Sequence, residues 1–373
     1  MKQASICISP LDWGLGHATR CIPIIDAFKS LGYKIYIASD GNQEAILKQA
    51  FPDAHLLSLK GYGVRYTKNK NLLFFSLVLQ VPKILVAIAR EYFWLKRAHR
   101  LHQFDLIVAD NRFGFFHKKL PSVFITHQLN LQTPFRWTSN LYQLLLSTWL
   151  GKFTACWVPD IIGDHNLSGV LVHPKYKPSI PIWNMGCMSR LQHKLVNENY
   201  NTPNVPEAQN KTEIEFLAIV SGPEPQRTLL ENQIWDAGNA LGLPFVMVAG
   251  LPTQQLYNKI TAAGELYHHL DASHLVKQIQ RAKYIICRGG YTSLMELTPF
   301  HKKLILIPTP GQTEQEYLAK YWAENNWAIC FDQSKFNLEI AIKQASAHDF
   351  NWPEYAQFST DALASALKNL EKL

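Results

Sequence analysis

Two strand–loop–helix units in close succession, within residues 283–316, constrain the fold more than any other stretch. In the first unit, a short apolar run ends at Gly289 and Gly290, and a helix-like segment follows. In the second, the apolar run 304–307 leads into a loop that contains proline and glycine. Paired glycines let a backbone approach an anion closely, and the helix after them points free N–H groups at it. The stretch therefore predicts an α/β sheet with an anion-binding loop at its edge.

The length of the chain predicts two domains. It has 373 residues, of which 47% are hydrophobic and 18% charged, a globular composition too long for one ordinary domain. We expect an amino-terminal Rossmann-like domain at residues 1–186 and a second at 187–354, with a polar connection or early loop at 194–212. Residues 355–373 read as an amphipathic helix whose docking partner the sequence does not give.

A βαβ unit opens the chain. Apolar strands are predicted at residues 4–9 and 34–39, with a glycine-containing loop and a helix between them. Proline is tolerated in the first turn of a helix, so Pro23 predicts a helix that begins near residues 20–22. His17 then lies in the loop, at the sheet edge where α/β proteins bind ligands. It is a candidate general base and Asp12 is a second, although a histidine merely hydrogen-bonded in a loop fits equally well.

The net charge and the cysteines limit which partners and which cellular compartment the sequence fits. The net charge of +8 favours an anionic partner, which a nucleotide, a lipid headgroup or a nucleic acid would all satisfy. A recognisable RNA-binding module is absent, so nucleic acid is not an expected partner. The six cysteines are scattered and the amino end has no signal-peptide pattern, which together predict a reduced, cytoplasmic protein.

The segment 72–100 is the most apolar in the chain, but polar residues and Pro82 interrupt it before a span of roughly 20 apolar residues is complete. It ends in a cluster of lysine, arginine and histidine at 96–100. One interpretation is contact with an anionic membrane surface, which would place the protein at the inner face of the membrane. The other is a pair of core helices with a solvated basic end.

Several side chains after the paired glycines suit a nucleotide sugar. Thr292 and Ser293 offer hydroxyls to a diphosphate, and the two oxygens of Glu296 suit the vicinal hydroxyls of a ribose. The alternative is a capping box, in which Ser293 and Glu296 merely open a helix. The following loop favours the ligand, because it adds amides and acids suited to sugar hydroxyls: Gln312, Gln315 and Glu316.

Residues 283–320 closely resemble the donor-binding half of GT-B fold glycosyltransferases, especially the peptidoglycan lipid I N-acetylglucosaminyltransferase family. The resemblance implies two Rossmann-like domains with parallel sheets facing across a cleft. It implies that Glu296 binds the ribose, that residues 289–293 face the diphosphate, and that Gln315 contacts the sugar. Glu316 stands where that family has a second glutamine, so the resemblance does not specify N-acetylglucosamine.

The resemblance extends to three shorter segments. The loop containing Ser221, Gly222 and Arg227 falls where the family has a glycine-rich turn ending in arginine, although its two prolines depart from that pattern. Near the amino end, Gly14, Gly16 and His17 resemble the family's glycine-rich loop with histidine. A third segment resembles one lining the acceptor side and contains His127, Gln128 and Asn130.

We expect no cofactor and no metal. No Asp-x-Asp follows a strand in the donor half, and no HExxH motif or Cys/His cluster occurs. Helix N-termini, with Arg288 and Arg227, are the predicted counter-charges of the diphosphate.

The expected function is therefore transfer of a sugar from a nucleoside diphosphate to an acceptor hydroxyl, with inversion and with His17 as base. The resemblance implies that the nucleotide is UDP. The sequence leaves the acceptor open, and a glycan or a lipid-linked molecule is the expectation. Two alternatives keep the fold: a UDP-sugar hydrolase, similar to that of the pseudaminic acid pathway, and a UDP-sugar epimerase. A third is a non-catalytic nucleotide-sugar or nucleic-acid binding protein.

Overall fold

The protein is described by a computed structural model that covers residues 3–64, 76, 78–131, 133, 135–163, 165–192, 213–252 and 259–373. The predicted connection at 194–212 lies outside the described residues, as do 72–75 and 77 of the apolar segment. The chain divides into two compact units. Unit 1 comprises Met1–Met188 and Glu354–Leu373, and unit 2 comprises Ser189–Pro353.

Unit 1 is built on a parallel sheet of seven strands in its described part, in the order β3-β2-β1-β4-β5-β6-β7. The strands are β1 (Ser5–Pro10), β2 (Lys34–Ser39), β3 (His55–Ser58), β4 (Leu106–Asp110), β5 (Ser122–Ile125), β6 (Ala155–Val158) and β7 (Ile182–Asn184). The helices are α1 (Leu15–Ser30), α2 (Gly41–Ala50), α3 (Val81–His102) and α4 (Arg136–Leu150), with a 3₁₀ turn at Gly169–Val172. Strands β1, β4 and β5 are buried along their whole length, which is why they read as continuous apolar runs.

Unit 2 repeats this architecture in the order β10-β11-β9-β8-β12-β13-β14, parallel except for the edge strand β10. The strands are β8 (Ile214–Ile219), β9 (Phe245–Val248), β10 (Lys259–Ile260), β11 (Gly264–Tyr267), β12 (Ala282–Cys287), β13 (Lys303–Leu306) and β14 (Ala328–Cys330). The helices are α5 (Gln226–Leu241), α6 (Ala272–Arg281), α7 (Tyr291–Leu297), α8 (Thr313–Glu324) and α9 (Leu338–Ala347), with 3₁₀ turns at Thr298–Phe300 and Gln333–Lys335. The predicted fold class, α/β with two Rossmann-like sheets, is confirmed.

The first helix differs from the prediction. It begins at Leu15, not near residues 20–22, and Pro23 lies inside it. Proline removes one helical hydrogen bond, but Ala18, Thr19 and Arg20 are buried, so tertiary contacts hold the turns before it. His17 therefore stands in the first turn of α1 and not in a loop.

The carboxyl-terminal helix α10 (Thr360–Leu370) answers the docking question that the sequence left open. It packs against α1 in unit 1. The segment before it returns to the same unit, since Cys187 N–H donates to the carbonyl of Ala356 at 2.7 Å and Phe358 N–H donates to the carbonyl of Cys187 at 3.1 Å. Gly186, with φ of 79°, lets these backbones approach, because a Cβ there would lie 2.9 Å from the Ala356 oxygen.

Candidate active site

A buried polar cluster lies at the carboxyl ends of β4 and β5 in unit 1. Arg20 reaches from α1 to Asp110, the last residue of β4, and donates Nε to Oδ2 at 2.9 Å and Nη2 to Oδ1. Its Nη1 is 3.0 Å from Nδ1 of His127, which follows β5. His17, one turn before Arg20 on α1, has Nδ1 3.2 Å from Asp110 Oδ1 and 2.9 Å from Arg20 Nη2.

The charges of this cluster fix its protonation. Burial alone would raise the pKa of Asp110, but Arg20 and His17 hold it at about 2, so this carboxyl is ionised at neutral pH. Burial lowers the pKa of His17; Asp110 opposes that effect, and Arg20 reinforces it. His17 is therefore neutral at pH 7. Two tautomers are compatible with these contacts: Nδ1 accepts from Arg20 when Nε2 carries the proton, and Nδ1 donates to Asp110 when it carries the proton itself. In the second tautomer Nε2 is left as a basic nitrogen.

Asp12, Gly14 and Gly16 are the other predicted site residues near His17 in the sequence. Both carboxylate oxygens of Asp12 accept backbone N–H groups at 2.9 Å, from Tyr62 and Gly63, so this side chain organises the loop after β3. Gly14 precedes α1 with φ of 154°, a conformation that other residues rarely adopt, and Gly16 lies within the first turn.

The other candidates in unit 1 lie near the end of β5. Gln128 is half-buried, and its backbone N–H donates to the Thr126 hydroxyl at 3.0 Å. Asn130 accepts from Gln143 of α4 through Oδ1 at 2.6 Å. His127 is thus the member of this segment that joins the Arg20 cluster.

In unit 2, the capping-box alternative is not what the structure shows. Helix α7 begins at Tyr291 with Gly290 as its N-cap, and no side chain caps it. Ser293 and Glu296 both lie inside the helix, so they do not pair across its start. Thr292 and Ser293 are half-buried, whereas Glu296 is buried.

The Glu296 carboxylate is held by a residue that the sequence did not point to. Arg190 donates Nε to Glu296 Oε1 at 3.1 Å, and the two side chains are only 12% and 10% exposed. His269 lies close enough to Arg190 for its pKa to be affected by this charge. Burial and then Arg190 lower the pKa of His269, and Asp271 raises it. Glu296 is thus an oriented carboxylate in the second turn of α7, the helix that follows the paired glycines.

The loop between β13 and α8 places amides beside these glycines. Gln315 accepts the backbone N–H of Thr309 at 2.8 Å, and its Nε2 lies 3.8 Å from the position of a Cβ at Gly290. Glu316 accepts the backbone N–H of Gly311 at 2.8 Å, so it closes this loop. Two polar atoms here are buried without a hydrogen-bond partner among the described residues: Gln312 Oε1 and Thr309 Oγ1.

Gly289 has a packing role. A Cβ at this residue would lie 2.8 Å from the backbone oxygen of Gln315, so only glycine lets β12 and α8 approach so closely. Gly290, by contrast, has room for a Cβ.

The two arginines predicted to neutralise a diphosphate have protein partners instead. Arg288 is 1% exposed and donates to Gln333 Oε1 at 2.8 Å and to the carbonyl of Gln226 at 2.7 Å, and burial lowers its pKa to about 10. Arg227 donates Nε to Glu224 Oε1 at 2.6 Å and Nη1 to Glu231. Neither guanidinium is therefore arranged around an open anion site.

The loop that begins at Ser221 follows β8 and lies beside the loop after β13. Ser221 is half-buried, and Gly222 has φ of 123°. A Cβ at Gly222 would lie 3.6 Å from Thr309 Oγ1, so the two loops are neighbours at this sheet edge.

Two broader searches cover the described residues alone. In that part of the chain, no three acidic, histidine or cysteine side chains converge as metal ligands. Within the same residues, no helix is both long and apolar enough to cross a membrane.

Three functional candidates were missed by sequence reasoning. Arg20, Asp110 and Arg190 each act on a partner about 90 residues or more away in sequence. Asp110 carried one signal, because it is an acid at the end of a buried strand. Arg190 lies next to the boundary between the units and carried none.

Comparisons with known proteins agree with this architecture. Residues 246–372 match the family model described as the glycosyltransferase family 28 C-terminal domain. No curated protein matches the chain in sequence. Among solved structures, the spinosyn rhamnosyltransferase SpnG complexed with thymidine diphosphate is 12% identical, with a TM-score of 0.56 over 98% of this chain and 92% of that one.

Two further solved structures are similar. MurG of Acinetobacter baumannii is 11% identical, with a TM-score of 0.50 over 100% of this chain and 95% of that one. A UDP-N-acetylglucosamine 2-epimerase is 9% identical, with a TM-score of 0.55 over 99% of this chain and 96% of that one. At such identities these structures show the fold alone, which is GT-B. The family match, over residues 246–372, is to a glycosyltransferase domain, and the predicted resemblance to GT-B fold glycosyltransferases is confirmed.

Proposed function

We propose that the protein transfers a sugar from a nucleoside diphosphate, with UDP as the nucleotide, to an acceptor hydroxyl, without a metal and with inversion at the anomeric carbon. The observation that carries the proposal is the buried Glu296 carboxylate, which lies within the residues that match the family model and is oriented by Arg190, a residue outside that match. A structurally similar rhamnosyltransferase is complexed with thymidine diphosphate, which supports a nucleoside diphosphate as donor.

Each part of the donor has a counterpart in unit 2. The two oxygens of Glu296 suit the vicinal ribose hydroxyls. The diphosphate would accept from backbone N–H groups at the start of α7 and from the hydroxyls of Thr292 and Ser293. The sugar hydroxyls would meet the Nε2 of Gln315 and the Oε1 of Gln312, which is buried and has no hydrogen-bond partner in the part of the chain that the structure describes. Because buried polar atoms favour hydrogen-bonded states, a ligand at this loop would stabilise the unit.

The chemistry of transfer is proposed for His17. With Nδ1–H donated to Asp110, Nε2 removes the proton of the acceptor hydroxyl. The acceptor oxygen forms a bond to the anomeric carbon as the bond from that carbon to the diphosphate oxygen breaks in line, which inverts the configuration. Asp110, with its pKa at about 2, stays ionised and stabilises the imidazolium that forms. We prefer His17 to Asp12 as the base, because both Asp12 oxygens already accept backbone N–H groups.

The charge of the departing nucleotide needs offsetting without a metal. Since Arg288 and Arg227 are bonded to protein groups, we assign this role to the aligned N–H groups and the positive dipole of α7. No cofactor is required, because the donor sugar is already activated by its diphosphate leaving group.

We propose that the acceptor is a lipid-linked molecule or a glycan. We also propose that the protein is cytoplasmic and contacts the inner face of the membrane. Helix α3 exposes large apolar side chains beside basic ones, among them Phe93, which is 67% exposed. Helix α4 adds exposed apolar residues that the sequence analysis overlooked, among them Trp137, also 67% exposed. Exposed apolar surface of this kind marks an interaction site more often than a free surface.

An epimerase is the second candidate, because a UDP-N-acetylglucosamine 2-epimerase shares the fold. A hydrolase would use water in place of the acceptor. These activities differ in their products: transfer needs a second substrate, whereas epimerisation and hydrolysis need the donor alone.

The experiment that tests the proposal measures UDP release and sugar products from a panel of UDP-sugars, with and without a membrane lipid extract as the source of acceptor. We expect acceptor-dependent UDP release by the wild type. The His17→Ala variant should lose this turnover and keep its affinity for UDP. Unchanged turnover in that variant would remove His17 as the base, and a sugar product without acceptor would favour the hydrolase or the epimerase.

A further inference from the structure

The hydroxyl of Thr309, in the loop between β13 and α8, is a buried polar group to which no role has been assigned. Thr309 is 2% exposed, and its Oγ1 has no hydrogen-bond partner among the described residues. Burying a hydroxyl without a hydrogen bond destabilises a protein, and an apolar side chain of the same shape would avoid this cost. Such a group in a native structure therefore points to a partner that binds there.

The position of Thr309 connects it to the start of α7. Its backbone N–H donates to Gln315 Oε1 at 2.8 Å, and Nε2 of the same glutamine lies 3.8 Å from the position of a Cβ at Gly290, the N-cap of α7. One glutamine side chain thus spans from Thr309 to the N–H groups proposed to hold the diphosphate. The Thr309 hydroxyl also faces Gly222 in the loop after β8, where a Cβ would lie 3.6 Å from Oγ1.

A buried cation lies directly beneath this loop. Arg288 is 1% exposed, and its Nη1 donates to the carbonyl of Ile307 at 3.1 Å. No acidic side chain pairs with it in the part of the chain that the structure describes, and its Nε is buried there without a hydrogen-bond partner. All its hydrogen bonds go to neutral groups, namely the carbonyls of Ile307, Pro308 and Gln226 and the side-chain oxygen of Gln333.

This cation decides which part of a donor suits Thr309. Burial lowers the pKa of Arg288 only to about 10, so the guanidinium stays charged at neutral pH. A positive charge without a counter-ion in a poorly solvated site favours an anion nearby. A hydroxyl can donate to a phosphate oxygen, and a hydrogen bond to a charged acceptor is stronger than one to a neutral sugar hydroxyl.

We propose that the Thr309 hydroxyl donates a hydrogen bond to a phosphate oxygen of the nucleoside diphosphate donor, while Arg288 contributes its charge from beneath the loop without contacting the ligand. The inference rests on the proposed function, and it adds a diphosphate ligand from the loop after β13. Because Thr309 is 2% exposed, binding includes a small displacement of the neighbouring loop after β8. Gly222 carries no side chain there to obstruct the phosphate.

The test removes the hydroxyl and measures the Kd of UDP by calorimetry. Thr309→Val nearly keeps the shape of the side chain and should weaken UDP binding roughly tenfold or more. Thr309→Ser keeps a hydroxyl and should retain most of the affinity. The matched control is Thr261→Val in the turn between β10 and β11 of unit 2, where the hydroxyl accepts the backbone N–H of Gly264 at 2.9 Å. This control should leave the Kd of UDP unchanged.

The Tm without ligand separates a ligand-binding role from a structural one. Since the Thr309 hydroxyl has no partner among the described residues, Thr309→Val should leave the Tm unchanged or raise it. Thr261→Val removes a hydrogen-bonded hydroxyl and should lower the Tm. A similar fall in Tm for Thr309→Val would mean that the hydroxyl is bonded within the protein, and it would overturn the proposal.

A comparison of UDP with UDP-glucose and UDP-N-acetylglucosamine identifies the part of the donor that the hydroxyl contacts. We expect Thr309→Val to lose the same factor in affinity for UDP and for each UDP-sugar that the wild type binds. A loss for the UDP-sugars with unchanged binding of UDP would assign the hydroxyl to the sugar and overturn the phosphate.

The Glu296→Gln variant, measured beside these, distinguishes the two proposals. If Thr309→Val binds UDP as the wild type does while Glu296→Gln binds it weakly, the Thr309 assignment fails and the proposed function stands. If the wild type binds no nucleoside diphosphate, the proposed function fails and the Thr309 assignment fails with it.

Discussion

Replacing Asp110 with asparagine should strongly destabilise unit 1, because Arg20 would then lie buried without this counter-ion. Arg20 is 1% exposed and Asp110 is fully buried, and two nitrogens of the guanidinium donate to the carboxylate. Removing one partner of a buried ion pair costs about 3 to 5 kcal/mol. Asparagine also replaces one acceptor oxygen with an NH₂ group facing an arginine N–H. We therefore expect the free energy of unfolding to fall by about 3 to 5 kcal/mol.

Urea denaturation followed by circular dichroism measures this loss. Because the chain has two units, the transition to compare is the one that shifts in the variant. Asp53→Asn is the matched control, since Asp53 is exposed and its replacement should change stability by less than about 0.5 kcal/mol. A loss below about 1 kcal/mol for Asp110→Asn would refute the reasoning, because it would mean that Arg20 does not depend on this carboxylate.

The ion pair between Arg20 and Asp110 also predicts that the protein loses stability at acid pH. A pKa of about 2 in the folded protein, against 3.8 for a free aspartate, corresponds to stabilisation on the order of 2 to 3 kcal/mol. Because the folded-state pKa is the lower one, this contribution is complete above about pH 4 and is lost as the pH falls towards 2. Asp110→Asn should flatten that part of the stability curve, and an unchanged slope would contradict the assignment.

Three further predictions concern catalysis, packing and donor binding. Burial lowers the pKa of His17, so kcat/KM should stay high as the pH falls to 6.5 and decline only below it; a decline centred above 6.5 would contradict the assigned environment. Gly289→Ala would place a Cβ 2.8 Å from a backbone oxygen of α8 and should cost about 1 to 3 kcal/mol by urea denaturation, whereas Gly290→Ala should cost less; equal costs would argue against the close approach. Arg190→Met should weaken UDP binding by calorimetry through the loss of carboxylate orientation at Glu296, and an unchanged Kd would remove that positioning role.

The sheets were predictable because their strands are buried on both faces. Runs such as residues 283–287 and 304–307 are apolar almost without interruption, and glycine or proline marks their ends. The order of strand, loop and helix therefore follows from local pattern. The anion-binding loop and the role of Glu296 are predictions of the same local kind, because they depend on the spacing of residues within one strand–loop–helix unit.

The features that could not be predicted from the sequence depend on contacts between residues far apart in the chain. The start of α1 was placed too late because the helix propensity of a segment with Pro23 is poor, and burial of Arg20 against Asp110 outweighs it. Arg288 carries a charge that suggested an anion ligand, but its burial against backbone carbonyls is visible only in the fold. Docking of α10 on α1 likewise joins the two ends of the chain.

The central claim is that unit 2 binds a nucleoside diphosphate through Glu296, and the thermal shift caused by UDP tests it most directly. A ligand that binds only the native state raises Tm. UDP should raise the Tm of the wild type and of Glu324→Gln, an exposed glutamate on α8, and should raise that of Glu296→Gln far less. If no nucleoside diphosphate raises the Tm of the wild type, or if Glu296→Gln responds as the wild type does, the account of the donor site is contradicted.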